Sequence, residues 1–305
     1  MNIRDIQAFV AVAETGSVNR AALRLNLTQP ATTRRIQNFE AALDGAPLFD
    51  RTVKPAILTA HGHNVLDHCR RVLVAAAELE ACAAGAADPA GELRVGVAHG
   101  LGEMVLTAPL DALRRSFSRL RMQVSANWSA ELIEAVRSGS IDCAVGLLTD
   151  AHTTAGGLQK LSLGAEQVVV VAPVSRPSTR RDGRPWRLRD LAEEGWLLNP
   201  RGCGCRAALE RAFDRHNLVL RVAAEVFGEE LQMALLAHSG GLGLVPRRQF
   251  ARSPHRAGLH VLEVDEFRVS AMVTLLRHPV PGRFDPAIDL LAAAIAAELD
   301  HKLQA

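Results

Sequence analysis

The sequence predicts an α/β fold in which a small helical N-terminal region precedes one long helix and a two-lobed α/β region. Three observations lead to this prediction. Apolar residues recur at helical spacing through residues 1–45, a heptad-like pattern runs from residue 62 to about residue 84, and strand and helix patterns alternate from residue 92 onward. Such alternation is typical of a parallel sheet covered by helices.

Composition limits the class of protein. The chain has 305 residues, of which 48% are apolar and 22% charged, as in a globular protein of about two or three domains. No apolar run approaches the roughly 20 residues that span a bilayer, and Arg4, Asp5 and Glu14 interrupt any signal peptide. Five scattered cysteines do not form a secreted disulfide framework. We therefore expect a cytoplasmic protein without membrane association.

The first 60 residues indicate three short helices and a two-stranded wing. Thr15-Gly16 ends the first helix, and Ser17 is a suitable N-cap for the second, over residues 18–25. Thr28 can cap the third, in whose first turn Pro30 is tolerated. Residues 47–51 and 56–59 then suit the two strands of the wing.

The second and third predicted helices fit a helix–turn–helix motif, whose second helix enters the DNA major groove. Residues 20–60 hold six basic and three acidic side chains, whereas the net charge of the whole chain is +2. We therefore expect a surface that binds a polyanion, such as DNA, to lie in this region. The side chains at the start of the third helix have the chemistry that reads base edges: Gln29, Thr32, Thr33, Arg34 and Arg35.

A longer motif runs through the same region. It comprises Ala21-Ala22-x-x-Leu25-x-Leu27-Thr28-Gln29-Pro30-Ala31-x-Thr33-Arg34-x-Ile36-x-x-Phe39-Glu40, then Leu48-Phe49-Asp50-Arg51 and Leu58-Thr59-Ala60-His61-Gly62. This motif resembles the winged helix–turn–helix of LysR-type transcriptional regulators, closely over residues 1–62 and more loosely beyond. The turn at residues 43–48 is one residue longer than usual, and Thr32 and Arg35 stand where the family often has Leu and Gln.

The resemblance implies a regulator that binds double-stranded promoter DNA and is switched by a small-molecule effector. It implies a homodimer or homotetramer, a sensory region resembling periplasmic binding proteins, and contact with RNA polymerase if the protein is an activator. The DNA-contacting residues are then Ser17, Gln29, Pro30, Thr32, Thr33, Arg34, Arg35, Arg51 and Lys54, the last two on the wing.

The pattern predicts three functional regions. Residues 1–60 form the winged helix–turn–helix, residues 61–87 a dimerising linker helix, and residues 91–305 the effector-binding domain. Lobe I takes residues 91–163 and 269–303, and lobe II takes residues 164–268. The expected dimer seam follows the coiled-coil period along the linker: Val65, Cys69, Val72, Ala76, Leu79 and Ala83.

The effector site is expected where strands end and helices begin, because ligands of open α/β sheets bind at the carboxyl ends of strands. Buried strands are predicted at residues 93–98, 122–126 and 141–147, and Ser129 is predicted as an N-cap. Arg201 and the helix N-termini favour a small organic anion, with Leu101 and Phe227 as apolar walls. The predicted contacts are His99, Gly100, Leu101, Ser129, Arg201, Gly202, Cys203 and Phe227.

Other functions have weaker signals. Gly100-Leu101-Gly102 is a poor nucleotide-binding motif, since Val105 replaces its third glycine and the next strand ends at Asn127 without an acidic residue for a ribose. Oxidation of Cys203 and Cys205 is a rival signal to effector binding. His61, His63, His68 and Cys69 have only loose metal-like spacing.

No catalytic motif, cofactor or metal is expected. Carboxylate pairs such as Glu229-Glu230 are interpreted as solvated helix faces. The remaining alternative is a soluble ligand-binding protein or enzyme whose N-terminal helices are only a scaffold.

Overall fold

The computed structural model describes residues 1–50, 52, 57–83, 89–149, 156–280 and 282–301. The chain divides into two compact units. One is built mainly from Met1–Ala87, and the other mainly from Asp88–Arg137, Ile141–Pro279 and Phe284–Ala305.

The first unit contains four helices and a two-stranded wing. Its elements are α1 (Ile3–Thr15), α2 (Val18–Arg24), α3 (Gln29–Ala41), β1 (Phe49–Asp50), β2 (Ile57–Leu58) and α4 (Ala60–Ala83). Gly16 ends α1 with φ +63°, a left-handed conformation that glycine adopts without strain. Ser17 and Thr28 are the N-caps of α2 and α3, so the predicted helix starts are confirmed.

Three aromatic rings hold this unit together. The ring centroids of Phe9 and Phe39 lie 5.4 Å apart, and those of Phe9 and Phe49 lie 5.5 Å apart. All three side chains are buried, and burial of one such side chain contributes about 1.5–3 kcal/mol. The wing is thereby packed on the helices.

Two residues fix the chain between α3 and α4. The buried Glu40 accepts a hydrogen bond from the Leu48 backbone N–H at 3.0 Å, which anchors the lengthened turn. Gly62 lies against the same residue, because a Cβ atom there would stand 2.1 Å from the Leu48 carbonyl oxygen. Only glycine allows this approach of backbone to backbone.

The first part of α4 belongs to the core of its own unit. Leu66 and Cys69 are buried in the cluster that contains Phe9, and Val65 packs against that cluster. Val65 and Cys69 were predicted for the dimer seam, and this is wrong, because both pack within the unit. Further along α4, Val72 and Leu79 are 43% and 73% exposed.

In the described part of the second unit, nine strands form one mixed sheet. They are β3 (Gly91–Ala98), β4 (Leu120–Asn127), β5 (Cys143–Leu148), β6 (Gln159–Pro173), β7 (Trp196–Leu198), β8 (Val222–Glu225), β9 (Leu242–Pro246), β10 (Leu259–Val261) and β11 (Val269–Arg277). The order is β4-β3-β5-β11-β6-β9-β7-β8, with β10 pairing off this path with β6.

The two long antiparallel strands β6 and β11 join two parallel halves. Strands β4, β3 and β5 are parallel on one side, and β9, β7 and β8 are parallel on the other. Alternate residues of β6 enter two different apolar clusters, so Val168 and Val170 pack in one and Val169 and Val171 in the other. This period of two explains the continuous apolar run in the middle of the strand.

Helices cover both halves of the sheet. They are α5 (Gly102–Ser116), α6 (Ser129–Arg137), α7 (Gly204–Arg215), α8 (Glu229–Ser239), α9 (Arg247–Arg252) and α10 (Asp285–His301). The short elements α9 and β10 were not predicted. Strand β4 was predicted as buried, which is wrong: it lies at the edge of the sheet and most of its residues are exposed.

Candidate DNA-binding surface and effector cavity

One stripe of α3 presents polar side chains to solvent. Gln29, Pro30 and Arg34 are exposed and Thr33 is half-buried. Gln37 and Asn38 are also exposed, and each follows Thr33 or Arg34 by one helical turn. The stripe therefore extends one turn beyond the predicted residues. Gln37 and Asn38 follow Thr33 and Arg34 by four positions, so the helical period could have predicted both.

Thr32 does not belong to this stripe. It is 0% exposed, and its hydroxyl donates to the Thr28 carbonyl oxygen at 3.1 Å. Its predicted base contact is therefore wrong for this conformation, because a completely buried side chain cannot reach a groove. Arg35 is half-buried, and Arg51 and Lys54 lie outside the described residues.

Ser17 acts as a cap at the start of α2. Its Oγ accepts a hydrogen bond from the Arg20 backbone N–H at 3.5 Å, and the side chain is half-buried. The hydroxyl proton is not used in that contact, so Ser17 can still donate to a phosphate oxygen. Its predicted role stays a prediction.

In the second unit, the ends of several strands surround a small cavity of about 30 Å³. That volume suits a group of the size of one or two waters. The lining brings together residues from both halves of the sheet: Ala98, His99, Trp128, Ser129, Leu147, Val168, Asn199, Cys203, Gly204, Cys205, Glu229, Leu244 and Pro246. A second, open cavity of about 1390 Å³ shares Ala98, His99 and Glu229 with it.

His99 and Trp128 form one wall of the small cavity. Their ring centroids lie 4.4 Å apart at an interplanar angle of 49°. Burial lowers the pKa of His99, while the nearby Glu131 carboxylate opposes this shift. The neutral imidazole is therefore favoured near pH 7, where it can accept or donate one hydrogen bond.

Ser129 has a structural role that the sequence did not predict. It is the first residue of α6 and is buried. Its hydroxyl donates to the Leu147 carbonyl oxygen at 3.0 Å and accepts from the Leu147 N–H at 3.1 Å. The predicted N-cap role is wrong, because this side chain ties α6 to β5 and its proton is already used.

The residues predicted to supply a positive charge and apolar walls do not line the small cavity: Arg201, Leu101 and Phe227. Arg201 and Gly202 are exposed and do not line either cavity described above. Leu101 is 0% exposed and packs in the main apolar cluster. Phe227 is 68% exposed and borders only the open cavity. The arginine that was expected to attract an anion is thus absent from the cavity lining.

Asn199 and Glu229 are the polar residues of the cavity that sequence reasoning missed. Glu229 is 5% exposed, so its interpretation as a solvated helix face is wrong. Asn199 Nδ2 donates to Glu229 Oε1 at 3.2 Å. Burial raises the pKa of Glu229, the Glu230 charge adds to this, and hydrogen bonds from Asn199 and a backbone N–H oppose it.

Cys203 and Cys205 are free thiols on the same wall. A hydrogen bond from Cys205 lowers the pKa of Cys203 to about 7, and donating that bond raises the pKa of Cys205. The hydrogen bond therefore favours the thiolate of Cys203 over that of Cys205. Both thiols lie on the wall that contains Glu229.

Comparison with known proteins identifies both units. Residues 3–63 match the bacterial regulatory helix-turn-helix protein, lysR family, and residues 86–300 match the LysR substrate binding domain. The chain belongs to the LysR family of transcriptional regulators. The predicted family and the predicted combination of helix–turn–helix and α/β effector-binding domain are confirmed.

Relatives of this LysR-type regulator match over most of its length. It is 26% identical over 272 residues to the uncharacterized HTH-type transcriptional regulator YybE of Bacillus subtilis, covering 88% of each chain. It is 27% identical over 248 residues to BenM of Acinetobacter baylyi, covering 81% of this chain and 80% of BenM.

Solved structures show the same fold. Full-length OxyR from Pseudomonas aeruginosa superposes with a TM-score of 0.77 at 20% identity, covering 97% of this chain and 94% of OxyR. CbnR in complex with its target DNA gives a TM-score of 0.59 at 24% identity, covering 98% of this chain and 100% of CbnR.

The described residues of the regulator contain neither a metal-binding cluster nor a membrane-spanning helix. Within the described residues, no group of three or more His, Cys, Asp and Glu side chains is placed to hold a metal ion. Among the same residues, no helix has both the length and the hydropathy needed to cross a bilayer.

Proposed function

We propose that this LysR-type regulator reads promoter DNA with the exposed stripe of α3 and the adjoining wing. The observation that carries the proposal is the stripe of one capped helix on which Gln29 and Arg34 are exposed and Thr33 is half-buried. Amide and guanidinium groups pair with adenine and guanine edges in the major groove. Arg51 and Lys54 are proposed to contact phosphates from the wing.

The remaining regions have complementary roles in the proposal. Residues 1–60 bind DNA, residues 61–87 join protomers into a homodimer or homotetramer, and residues 91–305 bind the effector. Lobe I comprises residues 91–163 and 269–303, and lobe II residues 164–268. The protein acts on DNA in the cytoplasm, contacts RNA polymerase if it activates, and has no catalytic function of its own.

The effector is proposed to bind in the small cavity and to extend into the open one. His99 and Cys203 lie in the small cavity, as predicted for effector contacts, and Gly100 and Phe227 border the open one. The expected organic anion loses the support of Arg201, which is exposed, and meets Glu229 in the cavity, while the helix N-termini that favoured an anion do line it.

A mobility-shift experiment tests this proposal. Full-length protein is titrated against DNA from upstream of its own gene and of the neighbouring divergent gene, with unrelated DNA of equal length as control. Specific binding should persist at a salt concentration that removes non-specific binding. Equal affinity for related and unrelated DNA at both salt concentrations would contradict the proposal and favour the scaffold alternative.

A further inference from the structure

Two buried acceptor oxygens at the cavities have no hydrogen-bond partner, although Arg114 and Arg252 also border the open cavity. Asn199 is 6% exposed, and its Oδ1 has no hydrogen-bond partner. Gln249 borders the open cavity, and its buried Oε1 also has none. A buried acceptor without a partner is unfavourable, and such groups are rare in folded proteins. These oxygens therefore indicate a ligand that supplies donors.

Both amide groups lie near Glu229, whose Oε1 accepts a hydrogen bond from Asn199 Nδ2 at 3.2 Å. A Cβ atom on Gly100 would stand 2.8 Å from Glu229 Oε1 and 3.4 Å from Gln249 Oε1, so both oxygens face the same point. Gly100 has φ +85°, which disfavours any side chain there. The missing side chain therefore lets the Glu229 and Gln249 oxygens approach the Gly100 backbone closely.

No described cation compensates the Glu229 carboxylate. The buried Arg206 contacts Glu210 at 2.9 Å and Glu225 at 2.6 Å. Arg248 lies 3.5 Å from the buried Glu166, which it compensates. The described lining of the small cavity contains neither Arg nor Lys. A buried charge without a partner is costly, so a ligand cation would be stabilised here.

We propose that the effector is a small molecule bearing a protonated primary amine, whose ammonium group binds Glu229 between Asn199 Oδ1 and Gln249 Oε1. This inference rests on the proposed function, in which these cavities hold the effector. An ammonium group has three donors and no acceptor, which matches a carboxylate flanked by two amide oxygens. The rest of the molecule extends into the open cavity.

Other ligand classes match the cavity less well. A polyol supplies hydroxyl donors but leaves the Glu229 charge without a partner. A carboxylate offers no donor to the unpartnered oxygens of Asn199 and Gln249 and meets the like charge of Glu229. The ammonium group satisfies both the hydrogen bonds and the charge.

The experiment uses three probes of the same chain length: 1,5-diaminopentane, 1,5-pentanediol and glutarate. Their binding to the full-length regulator is measured by calorimetry and by thermal shift. The diamine should bind and raise the Tm of the wild type, and the diol and glutarate should not. Glu229→Gln keeps the size of the side chain and removes its charge, and should weaken diamine binding about tenfold or more.

Glu134→Gln is the matched control, because Glu134 is an exposed carboxylate on α6 that pairs with Arg137 and lines neither cavity. It should bind the diamine like wild type. An unliganded Glu229→Gln protein with a cooperative melt at or above the wild-type Tm shows that lost binding is not lost folding.

Three results would overturn the inference: no diamine binding by the wild type, equal diamine binding by Glu229→Gln, or stronger binding of glutarate than of the diamine. The mobility shift with promoter DNA is measured on the same samples. Specific DNA binding without diamine binding refutes only the amine inference, whereas diamine binding without specific DNA binding refutes only the proposed DNA-binding function.

Discussion

At the scale of single residues, neighbouring side chains of α3 have opposite environments. Thr32 is fully buried, while Thr33 is half-buried on the exposed side and Arg34 is exposed. A helix turns by about 100° per residue, so Thr32 points into the core while Thr33 and Arg34 lie on the outer side. The side chains that follow the cap therefore divide between the core and the exposed stripe.

Arg34→Ala should reduce operator affinity by about 1–3 kcal/mol and relax base preference at one position. The reason is that an exposed guanidinium on a recognition helix can bind a guanine edge with two hydrogen bonds. The measurement is a titration against the operator and single-base variants. Arg121→Ala removes the same charge from a pair with Glu92 in the second unit and should leave affinity unchanged. Wild-type affinity for Arg34→Ala would refute the assignment.

Thr32→Ala should lower the free energy of unfolding by about 1–2 kcal/mol, because it removes a buried methyl group and a hydrogen bond. Base preference should not change. Thr33→Ala is the matched comparison and should weaken operator binding with little loss of stability. Thermal melts and operator titrations of both variants check this. The reverse pattern would show that Thr32 contacts DNA.

Glu229→Gln should raise the unliganded Tm at neutral pH by a few degrees. The folded pKa of Glu229 is raised, so the folded chain holds this proton more tightly than the unfolded chain. Stability therefore falls as pH rises from the ordinary carboxyl pKa to the raised one. The Glu229→Gln variant has no carboxyl group at this position and therefore does not lose this stability as pH rises. The difference in Tm between variant and wild type should shrink as pH falls into the ordinary carboxyl range.

Other titratable groups near Glu229 must be separated from it. They are Glu230 on the same helix, Cys203 and Cys205 on α7, and His99 after β3. Glu230 is exposed, so Glu230→Gln is the control and should show no comparable pH-dependent gain. An equal gain in both variants would assign the effect to net charge instead of burial.

At the scale of elements, α4 has two different parts. Near its start, Leu66 and Cys69 pack in the core of the first unit. Beyond them, Val72 and Leu79 are exposed apolar side chains seven residues apart. This spacing is that of a coiled-coil seam. The proposed dimer contact is therefore confined to the second part of the helix.

Leu79→Asp should dissociate the oligomer, because it places an unpaired charge in an apolar seam. Burying such a charge costs about several kcal/mol of free energy. Ala75→Asp adds the same charge at an exposed position outside the predicted seam and should keep the oligomer. Sedimentation velocity of the full-length proteins measures both. If Leu79→Asp sediments like wild type, the seam does not include Leu79.

At the scale of the whole molecule, effector and operator binding should be coupled. If an amine changes operator affinity by some factor, operator must change amine affinity by the same factor. Typical couplings are about 5- to 150-fold. We expect diamine titrations with and without operator to differ by the factor found in operator titrations with and without diamine. Measurable binding of both ligands with no mutual effect would separate the amine site from regulation.

The sequence by itself determined the family, most of the order of the elements and the caps of α2 and α3. These depend on local signals: Ser17 and Thr28 cap helices through their own backbone neighbours, and Gly16 ends a helix because of its own φ. The motif around Gln29 is contiguous in the chain. Sequence reasoning therefore predicted Gln29, Pro30 and Arg34 of the exposed stripe and failed at Thr32, which is buried.

Only the tertiary structure decided the chemistry of the cavity. Asn199, Glu229 and Gln249 come from separate segments, and their contacts depend on how the strand ends meet across the sheet. Whether a carboxylate such as Glu229 is solvated or buried depends on the residues that pack over it. The sequence of two adjacent glutamates does not indicate which of them is buried. The effector charge that we propose differs in sign from the one expected for this reason: Glu229 is buried in the cavity lining and Arg201 is exposed.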